Sequence, residues 1–216
     1  MFFICVCVFN LCRKLARINS AMTKLPKSFY QRQDVVKIAL ELIGKVLVTN
    51  VNETLTSGVI METEAYSDRE RGCHAYKGMT ARNKVMFDEG GVAYVYLCYG
   101  IHQMMNVVTN EKGKADAVLI RALKPLAGIE DMLQRAKTNS IRRLTSGPGK
   151  LTKALGIGRK LNGQSLKGSE IWIEDQGISI ARQHVVSSPR IGIDYAEEDA
   201  LLPWRFSLKD SEWVSR

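Results

Sequence analysis

Past residue 33 the apolar positions fall into one rhythm and then change to another. After Asp34, the residues Val35, Val36, Ile38, Ala39, Leu42 and Ile43 recur at helical spacing, with Asp34 placed to cap the start and Gly44 to stop the end. The next runs are β-type, at residues 45–49 and 58–66, with a polar turn from 50 to 56 between them. Three more, at 93–99, 104–109 and 117–123, are rich in Val, Ile and Tyr. A helix is predicted over 129–136 and another from about Lys150, after Gly147-Pro148-Gly149. Late strands are predicted at 170–174, 190–193 and 204–208. Strands dominate and do not alternate regularly with helices, which disfavours a doubly wound sheet. The expected fold is α+β, a single compact domain on a curved, mainly antiparallel β-sheet with flanking helices.

The N-terminus stands apart. Residues 1–12 (MFFICVCVFNLC) are almost continuously apolar, and Arg13, Lys14 and Arg17 follow. Such a run is too short to span a bilayer. A secretory signal carries its positive charge before the apolar run and a small-residue cleavage site after it; here the charges follow and no such site precedes Thr23. Met22 is the expected true start, residues 1–21 an over-extended or dispensable leader, and 23–216 the folded domain.

Composition adds a partner class. Of 216 residues, 45% are hydrophobic and 25% charged, which excludes wholesale disorder. Lys and Arg number 31 against 22 Asp and Glu, a net charge of +9 that favours a polyanionic partner. The window 112–167 holds thirteen basic residues and three acids, so it carries slightly more than the whole excess. Such a run is either a solvated surface or a phosphate-facing side. The three histidines and five cysteines give multi-ligand zinc sites little to be built from. With no C-x-x-C spacing, a secreted disulfide framework is not expected and a reducing compartment is.

The candidate chemistry starts at Met61-Glu62-Thr63-Glu64-Ala65-Tyr66. Strand alternation puts Glu62, Glu64 and Tyr66 on one face, either as a half-buried general base beside an aromatic or as a solvated strand face. Tyr94 and Tyr96 share a strand face, while Tyr99 precedes Gly100 where a hairpin tip would expose its ring. Exposed aromatics beside basic surface serve nucleic-acid binders for stacking or wedging; core packing is the alternative, and the better one for Tyr94. Asn106 and Arg121 are polar residues in apolar strands, so each needs a partner, and Glu62 or Glu64 would serve the arginine. Ser146-Gly147-Pro148-Gly149-Lys150 could aim backbone N–H groups at an anion, but it lacks Walker A spacing.

Taken together these motifs resemble the alkyladenine DNA glycosylase family, the mammalian-type 3-methyladenine DNA glycosylases. The likeness runs in order from about Leu25 to Val214 through Glu62-Thr63-Glu64-Ala65-Tyr66, Thr80-Ala81-Arg82-Asn83 with Met86-Phe87, and Ala93 to Gly100. It continues through Asn106-Val107-Val108, Leu119 to Leu123, Ser146 to Lys150, Arg190 to Ile193 and Pro203-Trp204-Arg205-Phe206. The resemblance implies a monofunctional glycosylase that flips a damaged purine out of duplex DNA and hydrolyses its N-glycosidic bond. Glu64 would activate water, with Arg121 positioning the carboxylate and the water. Tyr66, His74 and Tyr96 would enclose the flipped base, and Asn106 would crowd the 2-amino group of guanine. Tyr99 would be the wedge, and Ile101, Thr80 and Arg82 would touch the flanking DNA. It implies no metal and no cofactor, double-stranded DNA containing damaged purines as partner, no membrane, and a monomer in the cytoplasm, or in the nucleus if the source is eukaryotic.

The chain departs from the family pattern in two places. The spacing from Tyr66 to His74 is one residue short, and the basic residues usual before Thr-x-Arg-Asn are reduced to Lys77-Gly78-Met79. Two rival readings stay open: a metal-dependent nuclease using Glu62, Glu64, Asp68 and Glu70, and a non-catalytic nucleic-acid-binding module of the same fold. The Cys73-His74 pair could otherwise mark a metal ligand or a thiol nucleophile.

Overall fold

The computed structural model describes residues 23–215. The apolar leader lies outside the described residues. Among the described residues nine strands make one antiparallel sheet: β1 (Thr23–Lys24), β2 (Val46–Val51), β3 (Thr54–Tyr66), β4 (Ala93–Cys98), β5 (His102–Thr109), β6 (Asp116–Ala127), β7 (Ile171–Asp175), β8 (Val185–Ser188) and β9 (Arg205–Leu208). The order is β1-β7-β2-β3-β6-β5-β4, with β9 bound to β3 and to β8. The α-helices among these residues are α1 (Lys27–Tyr30), α2 (Val35–Leu42), α3 (Ile129–Ala136) and α4 (Pro148–Ala154). Among the described residues no helix is long and apolar enough to cross a membrane.

Helix α2 begins as its sequence dictates: the Asp34 side chain accepts a hydrogen bond from the Lys37 N–H at 2.9 Å. Its buried residues Val35, Ile38, Ala39 and Leu42 join Leu47, Ile60, Ala65, Val118, Ile120 and Leu123 in the main core. Thr63 points to the same side and donates to the Ala39 carbonyl at 2.8 Å. Glu62 and Glu64 therefore face the other way, as strand alternation requires. A separate cluster of Cys73, Ala75, Met86, Tyr94, Val108 and Ala117 packs against Tyr66 and Tyr96.

Strand β3 runs through the centre. Glu62, Thr63 and Glu64 pair with Ser207, Phe206 and Arg205 of β9 on one side and with β6 on the other. The β3–β6 register skips at Ile60/Glu62 and at Glu62/Thr63, so Met61 and Arg121 are each an extra residue on their strand. Bulges of this kind re-aim a side chain, and the second one belongs to the arginine that reaches both carboxylates.

Several expected boundaries move. The turn expected over 50–56 is only Asn52 and Glu53, both with positive φ; Thr54 and Thr56 are strand residues, and the Thr56 hydroxyl is buried against Thr49. The strand expected at 190–193 is irregular backbone leading into a 3-10 stretch over Asp194–Leu201, and the strand in that region is β8. The short elements β1 and α1 have too few residues to show a period.

Candidate active site

Glu64 lies at the junction of β3, β6 and β9 and is wholly buried. Its Oε2 accepts from the Tyr66 hydroxyl at 2.9 Å and from Arg121 Nη1 at 3.0 Å. Its Oε1 accepts from the Ile191 backbone N–H at 2.8 Å. An ionised carboxylate has about four acceptor positions, so three donors leave one for a water. Glu62 is also wholly buried, which removes the solvated-face reading for both carboxylates.

The three donor residues form part of the wall of a cavity of about 480 Å³, and Glu64 sits directly behind them. Tyr66, His74, Tyr96, Asn106 and Arg121 all line it, as do Arg82, Tyr99, Ile191 and Tyr195. The volume and the few convergent polar groups suit a small planar ligand. His74 meets Tyr96 edge-on at 4.6 Å between ring centroids, and its Nδ1 is 3.2 Å from the Tyr94 hydroxyl. Tyr94 and Tyr96 stack at 5.0 Å, so Tyr94 backs the aromatic wall from the core. Asn106 is 5% exposed, yet its Oδ1 has no protein partner; this is a buried acceptor at the cavity wall.

Burial, reinforced by the Glu64 charge, pushes the Tyr66 hydroxyl well above its usual pKa and keeps it a donor. His74 moves the other way. Desolvation beside the Tyr94 and Tyr96 rings, with repulsion from Arg82 added, lowers its pKa to about 4, although the residue keeps an exposed part. Burial opposes the charge of Arg121, but Glu64 and Glu62 outweigh it and raise its pKa. Burial pushes the Cys73 thiol up to about 12, which removes it as a nucleophile.

Tyr99 stands beside the cavity at the β4–β5 turn, 86% exposed and with φ of 49°. Gly100 has φ of 72°, so both central residues of the turn occupy the left-handed region. Ile101, next along, is 74% exposed. Arg82 reaches from the mouth to the Leu97 carbonyl at 3.2 Å and lies over the Tyr96 ring. Thr80 is exposed and held by Asn83, whose side-chain amide also binds the His74 carbonyl at 2.8 Å. Thr80 and Ile101 do not line the cavity. Of the thirteen basic residues in 112–167, Arg121 is buried and Arg135 half-buried; the rest are exposed. Pro148, the first residue of α4, contributes to the cavity wall, and that helix spans only seven residues.

Three features escaped the sequence reading. The Ile191 N–H is a backbone donor with no residue signature. Arg190 beside it grips Glu70 bidentately at 2.6 and 2.7 Å and the Ala65 carbonyl at 2.9 Å, lying over the Tyr66 and Trp204 rings. Ser215 reaches Glu62 from far along the chain. Of the carboxylates the nuclease reading would use, Glu70 is paired with Arg190 and Glu62 with two arginines, Asp68 accepts from the Ala115 N–H, and Glu64 is held by Tyr66, Arg121 and the Ile191 N–H. Among the described residues, no three His, Cys, Asp or Glu side chains are grouped to hold a metal ion.

A buried carboxylate behind an aromatic cavity lined also by Arg82 and an exposed tyrosine suits a hydrolase acting on a base in nucleic acid, and comparison with known proteins gives that class. Residues 28–212 match the family described as methylpurine-DNA glycosylase. Proteins from Carboxydothermus hydrogenoformans and Methanocella arvoryzae, under the provisional name 3-methyladenine DNA glycosylase, are each 46% identical to it. The alignments cover 89% and 90% of this chain and 98% and 97% of theirs. A Chlamydia felis protein with the same provisional name is 46% identical over 85% of this chain and 95% of its own. The chain belongs to the methylpurine-DNA glycosylase family, DNA-repair hydrolases that act on N-glycosyl bonds.

Proposed function

We propose that this protein excises alkylated or deaminated purines, 3-methyladenine among them, from double-stranded DNA as a monomer, leaving an abasic site. The observation that carries the reading is Glu64, held by three donors behind an aromatic cavity with one acceptor position to spare. The damaged nucleotide swings out of the helix and its base enters between Tyr66, His74 and Tyr96. Flipping costs a few kcal/mol and costs least for a weakly paired lesion, which supplies part of the selectivity. Tyr99 fills the gap in the stack, with Ile101, Thr80 and Arg82 against the flanking DNA.

Alkylation at N3 or N7 makes the purine cationic, which favours its departure and its contact with aromatic faces. Glu64 holds a water, takes its proton as the water adds to the sugar, and its charge offsets the positive charge developing there. Arg121 and the Ile191 N–H fix the carboxylate so that this geometry exists before the substrate arrives. His74 is neutral at physiological pH and does not repel a cationic base. Asn106 presents its free Oδ1 to the purine edge and crowds an exocyclic 2-amino group. The exposed basic residues of 112–167 grip phosphates without sequence choice.

The test is single-turnover release of free base from duplexes carrying one 3-methyladenine, one hypoxanthine, or no lesion. Release from a lesion duplex, with an abasic site formed in equal amount and none from undamaged DNA, is expected. No release from any lesion duplex by folded, DNA-bound protein would leave the binding-module reading in its place.

A further inference from the structure

Arg121 carries its donors on three sides of a planar fork, and Glu64 receives only one of them. Nε goes to Glu62 Oε1 at 3.1 Å, Nη1 to Glu64 Oε2 at 3.0 Å, and Nη2 to the Ser215 hydroxyl at 3.3 Å. Glu62 is the centre of this arrangement. Besides Arg121, its carboxylate accepts from Arg205 Nε at 2.6 Å, from the Ser215 N–H at 2.6 Å and from the Ser215 hydroxyl at 2.8 Å. Glu62 is wholly buried and Ser215 is buried. Two carboxylates thus face two guanidiniums, a balanced set of four charges in which no member is left uncompensated. Arg205 closes the ring by donating from Nη2 to the Ser215 carbonyl at 3.4 Å.

The geometry points to a positioning role: Glu62, Arg205 and Ser215 hold Nε and Nη2 of Arg121 away from Glu64, so that Arg121 makes a single bond to the base and leaves an acceptor position for water. An arginine facing a free carboxylate tends to pair with it bidentately, fork to fork. On Glu64 such a pair would fill the position that the proposed chemistry reserves for water. Glu62 prevents it by taking Nε, and Ser215 by taking Nη2. Ser215 is the most economical part of the device, because one residue supplies two donors to Glu62 and one acceptor to Arg121. The segment after β9 is therefore part of the active site although it does not line the cavity.

The inference rests on the proposed role of Glu64, and the experiment separates the two. Single-turnover base release, affinity for lesion duplex and thermal midpoint are measured for Ser215→Ala, Arg205→Lys and Glu62→Gln, each in the parental protein and together with Glu64→Gln. In the parental background Glu62→Gln is expected to slow base release about 100-fold, as misplacement of a catalytic group does, with affinity unchanged. Ser215→Ala is expected to slow it about tenfold by the same route. In the Glu64→Gln background the same changes are expected to leave the residual rate where it was, because their effect passes through Glu64. An equal fold-loss in both backgrounds, or parental rates for folded Ser215→Ala and Arg205→Lys, overturns the proposal. Should Glu62→Gln fail to fold, Ser215→Ala decides the matter. Parental activity of Glu64→Gln alone would instead overturn the reading of the base.

Discussion

Ile191 donates its backbone N–H to Oε1 of Glu64 at 2.8 Å across 127 positions of sequence. That bond joins the loop after β8 to the centre of the sheet and fixes the one oxygen of Glu64 that neither Tyr66 nor Arg121 touches. What holds the loop there is its neighbour: Arg190 is clamped to Glu70 and to the Ala65 carbonyl one residue from Glu64.

Breaking that clamp is expected to cost both stability and rate. Glu70 is 3% and Arg190 5% exposed, so Glu70→Gln strands a buried cation, a change of about 3–5 kcal/mol in urea unfolding. Base release by the fraction that stays folded is expected to fall as well, since Ile191 loses its tether. A variant with parental stability would show that the pair is dispensable.

Tyr99 lies at the opposite extreme of burial. Tyr99→Ala is expected to leave stability within about 0.5 kcal/mol, since the ring touches solvent and the residue already occupies the left-handed region. Affinity for a lesion duplex is expected to weaken about tenfold or more, the loss of a stacking contact worth roughly 1–3 kcal/mol. Fluorescence of a 2-aminopurine opposite or beside the lesion reports flipping directly; an unchanged signal in the variant would remove Tyr99 as the wedge.

His74 is expected to add acid sensitivity to the fold in a defined window, by an amount that its solvent exposure reduces. Its pKa is lowered to about 4 in the folded protein against 6.5 for the free side chain, so below 6.5 the unfolded chain binds the proton first. Its contribution to stability is full above pH 6.5 and is lost as pH falls toward 4. Urea midpoints followed from pH 8 to 4 should therefore fall more steeply in the parental protein than in His74→Asn. An NMR titration of the ring centred near 6.5 would contradict the assignment.

Chelation separates this chemistry from a metal-dependent one. Base release is expected to proceed at an unchanged rate after dialysis against EDTA, because the carboxylates a nuclease would use are committed to arginines and backbone donors. Loss of activity on chelation with recovery on adding a divalent cation would count against the mechanism.

Much of this arrangement is legible in the sequence because it depends on side-chain identity in regular elements. Helix α3 spans Ile129–Ala136 as its pattern predicts, and Asp34 caps α2. Alternation along β3 places Glu62, Glu64 and Tyr66 on one face, and the lone Arg121 in an apolar strand finds both carboxylates. What stays hidden is what sequence does not encode locally. The apolar Arg190-Ile191-Gly192-Ile193 reads as a strand, yet its use is one backbone N–H and one arginine clamp. The bulge at Arg121 is a matter of register between β3 and β6. The meeting of Ser215 with Glu62 depends on the path of the chain after β9.

The carboxylate of Glu64 is the group on which the proposed chemistry depends most directly. Single-turnover release of 3-methyladenine from duplex DNA by Glu64→Gln is expected to fall about 10³-fold, in line with removal of a general base, while affinity for the lesion duplex is retained. Release at the parental rate by a folded, DNA-bound Glu64→Gln protein would contradict it.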